Sequence, residues 1–152
     1  HGVSFADLDN DGDQDIYAVL GGAYEGDNYP NVCFENPIFE NNWVILNLEG
    51  VQSNRSAIGT KLKIDLDNGR TIFYTINTGG SFGANSLQAE IGLGQSEMIQ
   101  TLTIIWPNSD TQIFNNVAVN KKYKLSEGQN KLIEVPYEKV QLLSKELNHH
   151  KK

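Results

Sequence analysis

The chain has 152 residues, enough for one full domain with part of another but too few for two complete domains. Its net charge is −7 and its 12 Lys and Arg residues are scattered, so the basic patch that a nucleic-acid partner needs is absent and no nucleic-acid binding is expected. No apolar run approaches the roughly 20 residues that span a bilayer, so no transmembrane segment is predicted.

The first chemical feature is the acidic segment Asp-Leu-Asp-Asn-Asp-Gly-Asp-Gln-Asp at residues 7–15. Carboxylates at alternate positions converge if the backbone curls around a centre, and Gly12 allows the sharp turn that this curl needs. Five aspartates in nine residues repel one another unless a cation lies among them. The segment predicts a calcium site. Asp7, Asp9 and Asp11 would supply carboxylate oxygens, Asp13 at the seventh position its backbone carbonyl, and Asp15 a further carboxylate, directly or through a water.

The loop departs from the helix–loop–helix calcium hand. That motif needs a bidentate glutamate at its twelfth position, where this chain has Ala18. The residues after the loop are β-rich and end in glycines, which predicts that the loop leads into a strand. A solvated acidic turn without a metal is the alternative interpretation.

Residues 1–36 hold this loop and one or two strands, and they look incomplete as a fold. Their apolar side chains need a cover that an isolated hairpin lacks, either from residues preceding His1 or from the rest of the chain. The chain has neither an initiator Met nor a signal peptide, so we expect a piece of a longer protein. Cys33 is the only cysteine, which leaves no internal disulfide, and it is expected to be a buried free thiol.

From residue 43 onward the sequence shows short β-rich runs separated by turn signals. About eight such strands indicate a sandwich or a barrel. The clearest hairpin surrounds Asn68-Gly69, a pair typical of a tight turn with positive φ. The predicted strands are residues 43–48, 61–66, 71–77, 87–91, 100–106, 111–114, 122–125 and 131–135.

Beyond Pro136 the pattern changes to helical spacing. Tyr137, Val140, Leu143 and Leu147 would form the apolar stripe of a short amphipathic helix. The polar tail that follows includes His149 and His150, which are expected to be disordered and not to bind metal.

Two further sets of residues have candidate roles. Asn54 and Arg55 lie in a polar loop between strands, where they either fix the loop or form an interaction patch. Trp43 and Trp106 are expected to close the core of the sandwich. The three histidines lie only at positions 1, 149 and 150, so no serine in the body of the chain has a histidine partner, and no catalytic residue or organic cofactor is predicted.

These residues carry a resemblance to two known families. Residues 1–17, His-Gly-Val-Ser-Phe-Ala followed by the aspartate loop, resemble an FG-GAP or VCBS-type repeat, the calcium-loop unit of β-propellers. The stretch from about 43 to 118 resembles the ASPIC and UnbV domain. Its matching segments, in the order of the family, are Gly50 with Ser53-Asn54-Arg55, Ala57-Ile58-Gly59, Gly80-Ser81-Phe82, Ile91-Gly92-Leu93-Gly94 and Ile104-Ile105-Trp106-Pro107-Asn108.

The resemblance implies a fold, a location and a type of function. The expected fold is all-β, with a partial propeller blade at 1–36, a β-sandwich of about eight strands at 37–135, and a short helix and polar tail or linker at 136–152. The expected function is that of a calcium-binding, extracellular binding or adhesion module, at the cell surface or in a secreted protein, with an unidentified protein or glycan ligand and no enzymatic activity. The alternatives are a carbohydrate-binding or carbohydrate-active accessory domain and a purely structural cap of a propeller.

Overall fold

A computed structural model describes residues 2–36, 40–79 and 82–142. These residues form eleven strands and no helix. The strands are β1 (Val3–Ala6), β2 (Asp15–Ala18), β3 (Val32–Phe34), β4 (Asn42–Glu49), β5 (Lys61–Leu66), β6 (Thr71–Thr75), β7 (Ala89–Gly94), β8 (Met98–Ile105), β9 (Thr111–Ala118), β10 (Lys121–Ser126) and β11 (Ile133–Val135).

The strands form three separate sheets. The N-terminal sheet has the order β1-β2-β3, sheet I has the order β11-β10-β4-β7, and sheet II has the order β6-β5-β8-β9. Neighbouring strands are antiparallel, except for the parallel pair of β10 and β4. All eight strands predicted between residues 43 and 135 are present, and their ends differ from the prediction by at most four residues.

Sheets I and II enclose one hydrophobic core, which gives a β-sandwich-like arrangement. Alternation along β5 buries Leu62, Ile64 and Leu66, while the intervening side chains face outward. Trp106 follows β8 and closes the same core, as predicted, with only 1% of its surface exposed. Burial of these apolar side chains supplies the main stabilisation of the sandwich.

The hairpin of β5 and β6 turns as the sequence predicted. Gly69 has a φ of +82°, and its N–H donates to the Leu66 carbonyl at 3.1 Å. The Leu66 N–H in turn donates to the carbonyl of Arg70, which closes a three-residue loop. Such a loop needs a residue in the left-handed region at its last position, and glycine adopts that conformation without steric cost.

Three expectations are wrong. Trp43 does not close the core of the sandwich, because it lies on the face of sheet I that is opposite to that core. Residues 136–142 form no helix, because Tyr137 and its neighbours make specific contacts with the aspartate loop in place of helical hydrogen bonds. The remainder of the predicted helix and the polar tail, residues 143–152, lies outside the described residues. Cys33 is exposed, since alternation places it on the same face of the N-terminal sheet as Ser4 and Tyr17.

The outer face of sheet I supports the aspartate loop. Trp43, Ile45 and Glu90 lie on this face, opposite to the core of the sandwich. Ile45 is nevertheless fully buried and Glu90 is 8% exposed, so this face is covered. The loop between β1 and β2 contacts Trp43 through Gly12 and Glu90 through Asp7, and Tyr137, which follows β11, packs near Trp43. None of the described residues forms a helix with the length and hydrophobicity needed to cross a membrane.

Candidate metal centre

The loop between β1 and β2 is closed by its own first carboxylate. Asp7 Oδ1 accepts a hydrogen bond from the Asp11 N–H at 3.0 Å, and Asp7 Oδ2 accepts one from the Gly12 N–H at 2.7 Å. Gly12 has a φ of +100°, and a Cβ at this position would overlap the indole of Trp43. Glycine is therefore required here both for the turn and for the close approach to sheet I.

Three buried carboxylates converge inside this loop. Asp7, Asp9 and Asp15 each place one oxygen within 4.8 Å of the oxygens of the other two. Asp15 is held in place by backbone donors, because its Oδ2 accepts the Leu8 N–H at 2.9 Å and its Oδ1 accepts the Asn36 N–H at 2.9 Å. Asp15 therefore connects the start of the loop to the residues that follow β3.

The polar atoms of the cluster are not all satisfied. Oδ1 of Asp9 and Oδ1 of Asp13 are buried and have no hydrogen-bond partner among the described residues. A buried carboxylate oxygen without a donor is costly, since its lost hydration is not replaced. Oxygens of this kind are the ligands that Ca²⁺ prefers, at six to eight per ion, so the donor set fits a hard divalent cation.

The pKa values of Asp13 and Asp7 reflect the same crowding of negative charge. Burial and, after it, the charges of the four other aspartates together raise the pKa of Asp13 to about 6. Burial also raises the pKa of Asp7, although the hydrogen bonds from Tyr137, Gly12 and Asp11 oppose the rise. A cation among these groups would reverse this effect, because it stabilises the ionised form.

Asp11 lies outside the group of three converging carboxylates. Its Oδ2 accepts a hydrogen bond from Lys139 Nζ at 2.9 Å, and its Oδ1 accepts the Asp13 N–H at 3.2 Å. Burial raises the pKa of Asp11, but the contacts with Lys139 and the Asp13 N–H outweigh it and lower the pKa below 3.8. Of the five predicted ligands, the structure thus brings together the carboxylates of Asp7, Asp9 and Asp15.

The loop is attached to sheet I through Glu90 on β7. Glu90 Oε2 accepts the Asp7 N–H at 3.1 Å and the Gln14 side-chain amide at 3.1 Å. The other oxygen of Glu90 accepts the Gln88 amide at 2.7 Å, so the carboxylate is fixed from both sides. The sequence carried no signal for Glu90, since it lies 83 residues from Asp7.

The segment after β11 crosses the loop from the other side. The Tyr137 hydroxyl donates to Asp7 Oδ2 at 2.9 Å, and the Tyr137 ring lies 5.7 Å from the Trp43 ring, centroid to centroid. Burial and the hydrogen bond to Asp7 raise the pKa of Tyr137. Lys139 Nζ approaches Asp9 Oδ2 at 3.2 Å, and the Val140 N–H donates to the Asp9 carbonyl.

The polar loop with Asn54 and Arg55 is a separate feature at the edge of the sandwich. The Asn54 side chain accepts the Ile58 N–H at 2.9 Å and donates to the Ile58 carbonyl at 2.8 Å, so Asn54 fixes the loop. The Arg55 side chain is 87% exposed and forms one ion pair with Glu49 at 3.2 Å. The structure therefore gives Asn54 a structural role and leaves most of Arg55 accessible.

Glu127 is the residue that holds this loop, and sequence reasoning missed it. Its Oε2 accepts the N–H groups of Val51, Gln52 and Ser53 at 2.7–2.8 Å, and its Oε1 accepts the Ser53 hydroxyl and the Asn108 amide at 2.9 Å. Three consecutive backbone donors that meet one carboxylate form an anion nest. Burial raises the pKa of Glu127, but the hydrogen bonds from the 51–53 segment outweigh it and lower the pKa below 4.5.

We expect Glu127→Gln to destabilise the chain by about 2 kcal/mol at neutral pH, because hydrogen bonds to a charged group contribute about 1.5–3 kcal/mol. The folded pKa lies below the unfolded one, so the stabilisation is present above pH 4.5 and is lost as the pH falls through the folded pKa. Urea unfolding of both proteins as a function of pH measures this difference.

The matched control for this substitution is Glu134→Gln. Glu134 is exposed and makes one ion pair, with Lys121 at 2.6 Å, so its neutralisation should have little effect. Equal losses of stability in the two variants, or a loss in Glu127→Gln that persists unchanged in acid, would contradict the role assigned to Glu127.

Comparison with known proteins places the sandwich in a family. The family model described as ASPIC and UnbV matches residues 50–132, more than half of the chain. The match spans β5 to β10 and includes the loop that Glu127 holds. No match was found among curated proteins. The chain belongs to the ASPIC and UnbV family.

Proposed function

We propose that the chain is a calcium-binding module for binding or adhesion and the C-terminal part of an extracellular β-propeller protein, in which the aspartate loop holds the calcium ion. Asp7, Asp9 and Asp15 would supply carboxylate oxygens, Asp11 a further one, and Asp13 its backbone carbonyl. The calcium ion would supply the positive charge that these groups lack. Its role is structural, because it fixes the loop that joins the N-terminal sheet to the sandwich.

One observation carries this proposal. Asp9 is 2% exposed, and its Oδ1 has no partner among the described residues although it lies in a cluster of three buried carboxylates. A purely structural acidic turn would leave such an oxygen in water or pair it with a donor. Loop sites without a twelfth-position glutamate bind calcium weakly, and weak sites fill where calcium is abundant, as it is outside cells.

The N-terminal sheet supports the assignment of the loop to a propeller blade of the FG-GAP or VCBS type. The strand register places Val3, Phe5, Ile16, Val32 and Phe34 on one face of this sheet. Three of them remain partly exposed, Val3 at 38%, Phe5 at 40% and Phe34 at 54%. An apolar face of this kind suits the packing of one blade against the next, since stacked sheets bury their facing side chains.

We expect calcium to raise the thermal stability of the chain. A metal that binds only the folded state adds roughly 2.7 kcal/mol at 100 times its dissociation constant, which raises the melting temperature by several degrees for a domain of this size. Thermal unfolding with excess chelator, and then with millimolar calcium, measures the shift. Asp9→Asn keeps the shape of the side chain but removes its charge, and it should lose most of the shift.

The control is Glu25→Gln, which removes one negative charge from an exposed position in the loop between β2 and β3. This variant should keep the full calcium response. A wild-type melting temperature that is the same in chelator and in calcium would contradict the proposal. So would an equal calcium response in Asp9→Asn and the wild type.

Glycan binding is a second candidate function, and one cavity favours it. A cavity of about 270 Å³ lies beside the aspartate loop, and the residues that line it include Trp43, Gln14, Asn36, Asn41 and Glu90. An aromatic ring with amide and carboxylate groups around it is a suitable surface for sugar hydroxyls. Trp106 plays no part, because it is buried and donates its Nε1–H to Gln112 at 2.6 Å.

A glycan array probed with the calcium-loaded chain tests this second function. Binding to a defined glycan that Trp43→Ala abolishes would support it, whereas a blank array at high protein concentration would contradict it. A purely structural propeller cap, the remaining hypothesis, predicts that the chain binds neither glycan nor protein.

A further inference from the structure

Lys139 supplies a positive charge at the aspartate loop. Its Nζ lies 2.9 Å from Asp11 Oδ2 and 3.2 Å from Asp9 Oδ2, so one ammonium bridges two of the predicted ligands. The side chains of Asp9 and Asp11 are 3% and 4% exposed, whereas that of Lys139 is 47% exposed. The carboxylates are thus fixed in the interior, and the ammonium reaches them from the surface.

A second observation indicates that the Lys139 ammonium does not satisfy all the carboxylate oxygens of the loop. Lys139 meets Oδ2 of Asp9, while Oδ1 of the same carboxylate is buried without a partner among the described residues. A single charge also cannot balance five aspartates within nine residues. The loop therefore has unsatisfied oxygens and unbalanced negative charge even with Lys139 in place.

We propose that Lys139 is an internal counter-ion that competes with the divalent cation for this loop, so that cation binding releases Lys139 and loosens the segment around it. The inference rests on the proposed calcium site. A divalent ion that uses Asp9 and Asp11 as ligands would lie close to the ammonium, and the two positive charges would repel each other. Lys139 would lower the apparent affinity for calcium and link it to the position of the C-terminal segment.

The other contacts of this segment show what its release would change. The Asn10 side chain donates to the Glu138 carbonyl at 3.2 Å, the Val140 N–H donates to the Asp9 carbonyl, and the Tyr137 hydroxyl donates to Asp7. None of these three hydrogen bonds has a charged donor, so a divalent ion would not repel them directly. The segment also meets the Lys122 ammonium, which lies 4.7 Å from the centroid of the Tyr137 ring. Release would therefore begin at the Lys139 side chain, which a protease specific for lysine could then bind in order to cleave the Lys139–Val140 peptide bond.

Calcium titration calorimetry of the full chain tests the competition. Lys139→Met keeps a side chain of similar length without the charge, and it should bind calcium about three- to tenfold more tightly than the wild type at low salt. The factor is modest because solvent screens a half-exposed ammonium. High salt should reduce the difference between the two proteins.

The matched control is Lys124→Met. Lys124 is 49% exposed, and its ion pair is with Glu49 at 3.3 Å, so the same charge is removed without a contact to the loop. This variant should bind calcium with wild-type affinity. The wild type gives a second readout that needs no variant, because calcium should increase the rate at which trypsin cleaves after Lys139, as identified by mass spectrometry.

The outcomes separate the inference from the proposed function. A wild-type chain that binds no calcium contradicts the proposed function and the competition together. Calcium binding by the wild type with equal or weaker affinity in Lys139→Met contradicts the competition alone, and so does cleavage after Lys139 that calcium leaves unchanged or slows. If Lys124→Met tightened calcium binding as much as Lys139→Met, the increase would be a general effect of net charge, and this result would also contradict the competition.

Discussion

The electrostatic repulsion among five aspartates in one nine-residue loop is the constraint on which the N-terminal half of this structure depends. Three of these carboxylates, those of Asp7, Asp9 and Asp15, converge in the interior of the loop with their oxygens within 4.8 Å of one another. Such an arrangement is unfavourable unless donors and positive charge surround it. The surrounding groups come from several parts of the chain: backbone N–H groups of the loop itself, the Asn36 N–H, the Tyr137 hydroxyl and the Lys139 ammonium.

These contacts make the loop the place where three parts of the chain meet. Through Asp15 and Asn36 the loop ties β1 and β2 to the end of β3, and through Glu90 it is attached to sheet I. Tyr137 and Lys139 add the segment that follows β11. In the proposed function, a calcium ion would reinforce the first two connections and weaken that of Lys139. A metal ion at such a junction would hold these parts of the chain against one another and would leave the core of the sandwich unchanged.

Sequence reasoning succeeded where the signal is local. Alternation of apolar residues located all eight strands of the sandwich, and Asn68-Gly69 located a hairpin turn, because both patterns reflect the backbone geometry of adjacent residues. The spacing of the aspartates likewise indicated a closed loop, and the structure places Asp7, Asp9 and Asp15 together. Whether this cluster holds calcium remains a prediction.

The residues that sequence reasoning missed act across long separations. Glu90 contacts a backbone group 83 residues away, Glu127 holds a segment 74–76 residues away, and Tyr137 reaches an aspartate 130 residues away. A single sequence carries no periodicity for such pairs. The apolar spacing of Tyr137 and Val140 was also compatible with a helix, and contacts with the loop determined the outcome instead.

Hydrogen–deuterium exchange of single amides, in chelator and in calcium, tests most directly whether a metal in the aspartate loop fixes the junction. The N–H groups of Leu8, Asp11, Gly12 and Asn36 donate to the Asp7 and Asp15 carboxylates, so calcium should slow their exchange. The Leu102 amide in the sandwich core serves as a reference and should change little. Equal exchange rates of the four loop amides in both conditions would contradict the account.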